Sequence, residues 1–183
     1  MGFNVSIQPR LFPVPQTAFT SDDYWTPRWI FETLGLRFDL DVAAPPGGSP
    51  HVPADRYYTQ ADDGLAAPWF GRVWMNPPYS RASPWVDRFI SHSNGVALLP
   101  HAKSKWHIRL FEQADAICAP TSGYFPFDSP RPGGGAIMLP VFFAAFGFDC
   151  CEAVGRLGTL RVRERNTYLV SKRTITQQRT YCD

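Results

Sequence analysis

The chain has 183 residues, of which 44% are apolar and 19% charged, and its formal net charge is +2. This length and composition indicate one globular domain with a full hydrophobic core, and they exclude a disordered chain. No apolar run approaches the roughly 20 residues of a membrane-spanning helix, and no basic start precedes an apolar core, so we expect a cytoplasmic protein without membrane contact.

The first part of the chain carries helix and strand signals in turn. Residues 1–20 contain three prolines and predict an extended N-terminal arm. The segment 26–34 predicts a helix that opens at a Thr-Pro pair, with Gly35 as its C-terminal stop. Acidic and apolar residues alternate over 38–44, which predicts a strand, and the proline- and glycine-rich segment 45–50 predicts a loop.

The middle of the chain continues this pattern. Residues 57–60 predict a short strand or a turn, and the apolar run 73–75 predicts a buried strand. A helix over 84–91 is expected, with Ser83 as its N-cap and proline at its first position. The apolar residues 96–99 predict another buried strand that ends at a proline.

The C-terminal half adds a predicted helix over 105–113 and a strand over 116–119. Residues 137–146 predict a long apolar strand or a pair of strands, and alternation predicts short strands at 159–163 and 167–170. Strands and helices alternate throughout, which favours an α/β fold built on a mostly parallel sheet flanked by helices.

Charge is unevenly distributed along the chain. Residues 1–154 contain 11 basic and 14 acidic residues, whereas residues 155–183 contain 7 basic and 2 acidic ones. We therefore predict a globular domain over 21–154 and a basic C-terminal extension over 155–183, packed on the same domain. The extension could contact nucleic-acid phosphates or could be a solvated tail.

The cysteines and histidines do not form a recognisable framework. The four cysteines are irregularly spaced, and the four histidines show no paired ligand spacing with them: Cys118, Cys150, Cys151, Cys182, His51, His92, His101 and His107. Neither a disulfide scaffold nor a metal site is expected.

The segment Asn76-Pro77-Pro78-Tyr79 directly follows the predicted strand 73–75. An amine conjugated to an aromatic ring is a poor nucleophile because its lone pair is delocalised. The Asn76 side-chain oxygen and the Pro77 carbonyl can each accept one N–H of such an amine, and Tyr79 can stack on its ring. The two prolines keep the loop rigid. The alternative interpretation is a simple strand-terminating turn, but a strand, a rigid loop and a helix in this order favour an active site.

Three carboxylates are further candidates for ligand binding. Asp41 lies near the carboxyl end of the predicted strand 38–44 and could bind an ammonium group. Asp62 and Asp63 precede a glycine and could bind an adenine amine or a ribose hydroxyl. Acidic residues in such places are also typical of helix caps and turns.

Several segments occur in a characteristic order: WTP at 25–27, FDLDVAA at 38–44, YYT at 57–59, DDGL at 62–65, GRVWMNPPYS at 71–80, Trp85 and LLP at 98–100. In this ordered set the chain resembles the phage-type DNA N6-adenine methyltransferase family over roughly residues 24–145. The resemblance implies a Rossmann-like fold that uses S-adenosylmethionine and accepts a flipped adenine. It differs from the wider methyltransferase class because Ala-Ala-Pro-Pro at 43–46 replaces the usual glycine-rich cofactor loop.

The resemblance also implies roles for individual residues. Residues 76–79 would hold the target base, and the cofactor would contact Trp25, Thr26, Pro27, Asp41, Ala43, Asp62 and Asp63. Three cations on the expected ligand side are candidates for DNA phosphate contacts, with solvated helix starts as the alternative for the two lysines: Arg81, Lys103 and Lys105.

The predicted function is therefore that of a site-specific, adenine-specific DNA methyltransferase. It would act on double-stranded DNA as a monomer or homodimer in the cytoplasm of a bacterial host, encoded by a phage or prophage. Two alternatives remain open at this point: methylation of RNA adenine or protein glutamine by the same loop, or a non-catalytic DNA-binding relative of the fold.

Overall fold

The computed structural model describes residues 24–122, 125–129 and 134–163. The predicted arm at 1–20 and the predicted strand at 167–170 lie outside the described residues. None of the helices in the described ranges is long and apolar enough to cross a bilayer.

Within these ranges the chain forms four α-helices and nine strands, with short 3-10 turns at Gln60–Asp62 and Tyr79–Arg81. In chain order these elements are α1 (Arg28–Leu34), β1 (Phe38–Asp41), β2 (Ala54–Tyr57), β3 (Val73–Met75), α2 (Ala82–His92), β4 (Gly95–Pro100), α3 (Lys105–Gln113), β5 (Ala116–Pro120), β6 (Phe125–Phe127), β7 (Ile137–Leu139), β8 (Val141–Phe146), α4 (Phe148–Val154) and β9 (Gly158–Val162).

Seven strands form one sheet in the order β2-β1-β3-β4-β8-β5-β9, and β6 and β7 form a separate two-stranded sheet. The pairs β1–β2, β1–β3 and β3–β4 are parallel, whereas β8 is antiparallel to both β4 and β5, and β9 is antiparallel to β5. The α/β class is confirmed. The sheet is less parallel than predicted, because β8 returns from the β6–β7 hairpin and inserts between β4 and β5.

Each face of the large sheet is covered by helices. One apolar cluster joins α1 and α4 to alternate strand residues such as Trp74, Val96 and Leu98. The other joins α2 and α3 to the intervening residues, among them Met75 and Leu99. Side chains on a strand alternate between faces, so both sets are buried and the strand sequences are almost wholly apolar. Strands β1 to β5 run in one direction, and their carboxyl ends share one edge.

Two predicted boundaries near that edge were wrong. The strand predicted over 38–44 ends at Asp41, because the chain turns away and the Ala44 amide donates to the Tyr58 carbonyl oxygen at 2.8 Å. Helix α2 begins at Ala82, so Ser83 is not its N-cap and Pro84 lies within its first turn. A proline is tolerated there because the amide groups of the first turn have no partner within the helix.

The apolar stretch 137–146 forms two strands separated by Pro140, which is the second of the two predicted alternatives. The pair belongs to different sheets, which periodicity alone could not indicate. Helix α4 was not predicted; it lies between Gly147 and Gly155 and buries Cys150 and Cys151 against the sheet. Strand β9 lies inside the predicted basic extension and joins the sheet beside β5.

Candidate active site

A cavity of about 910 Å³ opens at the carboxyl ends of β1 and β3. Ligands of α/β proteins bind outside this edge of the sheet. Four segments of the chain supply most of the lining: the approach to α1, the loop after β1, the turn around 59–66 and the loop after β3. The lining includes Trp25, Thr26, Asp41, Ala43, Ala44, Pro45, Pro46, Gln60, Asp63, Gly64, Leu65, Trp74, Asn76, Pro78, Arg81 and Trp85.

Asp41 is the buried charged group of this cavity. Asp41 is the last residue of β1, and it is only 3% exposed. Burial raises the pKa of the Asp41 carboxyl to about 7, and a hydrogen bond that Oδ1 accepts from the Ala43 amide, at 3.2 Å, offsets part of that effect. The carboxyl is therefore poised to ionise when a cation enters the cavity.

The loop after Asp41 forms a wall of small and cyclic residues. Ala43, Ala44, Pro45 and Pro46 all line the cavity. Alanine side chains leave room for a ligand to approach the backbone closely, which is the property that glycines would otherwise provide. These four residues are the Ala-Ala-Pro-Pro segment that, by the family resemblance, stands where the wider methyltransferase class has a glycine-rich cofactor loop.

The neighbouring carboxylates Asp62 and Asp63 have different surroundings. Oδ2 of Asp62 accepts hydrogen bonds from the amide and the hydroxyl of Thr59, at 2.8 and 2.7 Å. These bonds lower the pKa of Asp62 and close the turn. Asp63 has a left-handed backbone conformation with φ 49° and lines the cavity. Of the two residues, Asp63 is the one that faces the cavity.

Contacts from helix α2 and a neighbouring tryptophan hold this turn in place. The Arg88 guanidinium donates to the carbonyl oxygens of Leu65 and Ala67 and lies 5.1 Å from the Trp69 ring centroid. The Trp69 indole N–H in turn donates to the Gly64 carbonyl oxygen at 2.7 Å. Helix α2, which carries Arg88, therefore supports the cavity wall.

Gly64 leaves no room for a larger residue. A Cβ atom there would overlap the Val42 carbonyl oxygen and lie 3.0 Å from the Trp85 ring. We expect Gly64→Ala to reduce the free energy of unfolding by about 1–3 kcal/mol, because backbone on one side and a buried ring on the other cannot both move aside. Urea denaturation would measure this. Gly135→Ala is the matched control, since a Cβ atom there meets nothing within 4 Å; equal stability of the two variants would contradict the packing argument.

The loop after β3 places the Asn-Pro-Pro-Tyr residues at different depths. Asn76 and Pro78 line the cavity, whereas Pro77 is buried and does not line it. Nδ2 of Asn76 donates to Oγ1 of Thr26 at 3.3 Å. Tyr79 begins a 3-10 turn beside the cavity, is half-buried, and packs edge-on against Phe127 with ring centroids 6.3 Å apart.

The approach to α1 forms another wall of the cavity, next to Asn76. Trp25 and Thr26 line the cavity, and Pro27 caps the helix without lining it. Trp25 and Asp128 exchange two backbone hydrogen bonds of 2.9 Å each, which ties this segment to the β6–β7 hairpin. The site is therefore enclosed by segments that lie far apart in sequence.

The predicted DNA contacts are divided between two places. Arg81 is exposed and lines the cavity at the start of α2. Lys103 and Lys105 are exposed and follow β4 on the same edge of the sheet, but they do not line the cavity. Arg109, on the helix that begins at Lys105, forms an ion pair with Asp87.

Other lining residues were not among the predicted ligands. Gln60 gave no separate signal, because a turn residue has many uses. The segments that carried the family resemblance include Gly64, Leu65, Trp74 and Trp85, and that was the signal available for these residues. Among the described residues, no group of three metal-ligating side chains is present.

Comparison with known proteins shows the family to which the chain belongs. A family model described as DNA N-6-adenine-methyltransferase (Dam) matches residues 15–135, which is more than half of the chain. A DNA N-6-adenine-methyltransferase of Haemophilus phage HP1 is 32% identical over 129 residues, covering 64% of this chain and 73% of that protein. One from Escherichia phage T1 is 32% identical over 103 residues, covering 51% of this chain and 42% of that protein. No solved structure matches.

Proposed function

This chain belongs to the DNA N-6-adenine-methyltransferase (Dam) family, and we propose that it transfers a methyl group from S-adenosylmethionine to the exocyclic amine of an adenine flipped out of double-stranded DNA. One observation carries the proposal. The amide of Asn76, at the end of β3, and the buried carboxyl of Asp41, at the end of β1, face the same cavity.

The residues of the cavity fit the cofactor. A volume of about 910 Å³ lies within the range of small-molecule sites. Asp41 is a buried carboxyl that gains a partner when the ammonium of the methionine moiety binds. Trp85 and Leu65 offer apolar surface to the adenine ring, and Asp63 offers an acceptor for its amine or for a ribose hydroxyl. When bound, S-adenosylmethionine supplies a methyl group on a positively charged sulfur.

The loop after β3 activates the acceptor. Oδ1 of Asn76 and the Pro77 carbonyl oxygen, which belongs to the peptide bond to the cavity-lining Pro78, would each accept one N–H of the adenine amine. These bonds would draw the nitrogen toward tetrahedral geometry and localise its lone pair. The same two oxygens would stabilise the positive charge that develops on the nitrogen as the nitrogen–methyl bond forms and the sulfur–methyl bond breaks, which would leave S-adenosylhomocysteine. Tyr79 stacks on the extruded base. The surplus proton leaves to water.

The duplex is held through its phosphates. Arg81 lies at the cavity and would contact the phosphate beside the flipped nucleotide, and Lys103 and Lys105 would extend this contact along the strand. The basic extension 155–183 remains a candidate for further phosphate contacts. We place the enzyme in the cytoplasm of a bacterial cell, where its DNA substrate lies, as a monomer or homodimer.

The test is transfer of labelled methyl groups from S-adenosylmethionine to unmethylated duplex DNA, followed by nucleoside analysis. We expect the label in N6-methyladenine. A duplex in which every adenine already carries the N6-methyl group is the control and should accept none. In parallel assays with RNA or protein as acceptor, label in RNA adenine or in protein glutamine, with none in DNA, would reassign the acceptor. Cofactor binding without any transfer would contradict the proposed reaction.

A further inference from the structure

We propose that Arg28 and Trp29, at the start of α1, form a further contact with DNA: the Trp29 ring stacks on a base beside the extruded adenine, and the Arg28 guanidinium binds a phosphate nearby. This inference rests on the proposed function, and it names a part of the surface that holds the substrate of that reaction. Neither residue lines the cavity assigned to the cofactor.

The first turn of α1 lies at the edge of the sheet where the cavity opens. Thr26 lines the cavity, and Pro27 caps the helix immediately after it. The helix then runs back toward the start of β1, so Arg28 and Trp29 are its residues nearest to the cavity. A duplex whose adenine enters the cavity extends over this edge, and the first turn of α1 lies beside it.

Trp29 is an aromatic ring that is supported on one side and exposed on the other. Its ring packs against that of Phe125, with centroids 5.8 Å apart and planes inclined by 33°. Phe125 is fully buried in the core, whereas Trp29 is 45% exposed. The buried ring fixes the orientation of the exposed one, so little freedom is lost when a partner binds. Exposed aromatic rings of this kind are the platforms on which bases stack.

Arg28 places a positive charge beside this ring. The residue is exposed, and among the residues that the structure describes it forms no ion pair, not even with Glu32 one turn along the helix. Its guanidinium is therefore available to a phosphate. Arg81 is a further exposed cation on the same edge of the sheet. Cations distributed along one edge attract a polyanion.

The same charge argues against a second copy of the chain as the partner of this surface. A twofold contact would place the same residues of both copies against each other, and the two Arg28 side chains would meet with like charge. A nucleic acid offers both a flat aromatic face and a phosphate. Extrusion of the adenine breaks the stack of bases, so it uncovers the faces of the neighbouring bases for Trp29.

The first experiment compares Trp29→Leu with Trp29→Phe in the full-length protein. The probe is a fluorescently labelled, unmethylated duplex that the wild-type protein methylates, with S-adenosylhomocysteine present to prevent turnover. Leucine keeps an apolar side chain but cannot stack, whereas phenylalanine keeps an aromatic face. We expect the dissociation constant for DNA to rise by about tenfold or more in Trp29→Leu, and by less than about threefold in Trp29→Phe. DNA affinity like that of the wild type in Trp29→Leu would overturn the inference.

Phe148→Leu is the matched control. Phe148 is 52% exposed and begins α4, but it follows β8, whose last residue Phe146 pairs with Gly95 at the start of β4. It therefore lies at the opposite edge of the sheet, and its replacement should leave DNA affinity unchanged. An equal loss in Phe148→Leu and Trp29→Leu would show that the position of Trp29 does not matter, which would also overturn the inference.

Cofactor affinity separates a DNA contact from a general disturbance of the site. The dissociation constant for S-adenosylmethionine should change by less than about threefold in Trp29→Leu, because residue 29 does not line the cavity. A loss of cofactor affinity as large as the loss of DNA affinity would mean that the variant damages the cavity wall, and the proposed stacking contact would be withdrawn.

The second experiment tests the phosphate contact through its salt dependence. Loss of one such contact lowers the slope of the logarithm of DNA affinity against the logarithm of salt concentration by about one. We expect this reduction in Arg28→Gln. Arg37→Gln is the control, because Arg37 pairs with Asp55 and precedes β1 at the opposite edge, so its slope should equal that of the wild type. An unchanged slope in Arg28→Gln would contradict the phosphate contact.

The remaining outcomes separate the partner from the function. A Trp29→Leu variant with wild-type DNA affinity but an altered oligomeric state in analytical ultracentrifugation would assign the ring to a contact between copies and overturn the inference. Absence of methyl transfer by the wild-type protein would contradict the proposed function and would be seen before any variant is made. An active wild type whose variants bind DNA equally well would leave the function intact and remove only the roles of Arg28 and Trp29.

Discussion

Replacing Asn76 with alanine is expected to lower kcat for DNA methylation by about a hundredfold to a thousandfold. In the proposed mechanism the amide oxygen is one of the two acceptors that localise the lone pair of the adenine amine, and water in its place would be neither fixed nor aligned. The dissociation constant for S-adenosylmethionine should stay within about threefold of wild type, because the proposed mechanism assigns Asn76 to the base and Asp41 to the cofactor. Methyl incorporation at saturating cofactor, together with calorimetric titration of the cofactor, would measure both.

Asn94→Ala is a matched control for this variant. Asn94 has the same side chain and donates to the Gly71 carbonyl oxygen at 2.9 Å, but it precedes β4 and so lies at the opposite edge of the sheet. Its loss should leave kcat unchanged. Wild-type activity in Asn76→Ala would show that the amide is not needed for turnover and would contradict the proposed acceptor chemistry.

Asp41→Asn is expected to weaken binding of S-adenosylmethionine by roughly a hundredfold at pH 8, because a buried carboxylate that pairs with an ammonium is lost. The wild-type affinity should itself depend on pH. At pH values below the Asp41 pKa of about 7, the free carboxyl holds a proton that the cation must displace. The dissociation constant should therefore rise about tenfold for each unit by which the pH falls below that value. Titrations at several pH values would measure this, and the Asp41→Asn variant should lack the dependence.

The same substitution should stabilise the protein without cofactor. The pKa of Asp41 is raised to about 7 in the folded state from 3.8, so between these values the native protein binds more protons than the unfolded chain. Wild-type stability therefore falls as pH rises from about 4 to 7. We expect Asp41→Asn to be more stable than wild type by up to about 4 kcal/mol at pH 8, and close to it at pH 4.

Asp39→Asn is the control for both measurements. Asp39 lies on the same strand but does not line the cavity, and its Oδ2 accepts a hydrogen bond from the Arg72 amide at 2.6 Å. It should leave cofactor affinity unchanged. Asp41→Asn with unchanged affinity and unchanged stability would show that the carboxyl is neither buried as a charge nor used for binding.

Local patterns predicted the elements that position the site. The apolar run before Asn76 and the Gly35 stop of α1 were correct because each depends on residues adjacent in sequence, and Gly35 adopts the left-handed φ of 62° that such a stop requires. Helix α2 began earlier than its Ser-Pro signal, since a proline fits several positions of a first turn. Tertiary packing, not propensity, placed β8 antiparallel between two parallel strands.

The composition of the site was harder to predict than its location. The order of the family segments pointed to Asp41 and to the loop at 76–79, but no local signal distinguishes Asp62 from Asp63. That distinction arises because the Asp62 carboxylate accepts two hydrogen bonds from Thr59 within the same turn, whereas Asp63 lines the cavity. The contact between Thr26 and Asn76 spans 50 positions, so it exists only once the sheet has formed.

The backbone bridge between Trp25 and Asp128 has a consequence for folding kinetics. It joins segments about a hundred residues apart, and the entropic cost of closing so long a loop is lowered once the intervening strands have paired. Trp25 immediately precedes Thr26, so this wall of the cavity is completed only when the bridge closes. Recovery of enzymatic activity after dilution from denaturant would therefore report the last events of folding, well after the helices have regained their signal.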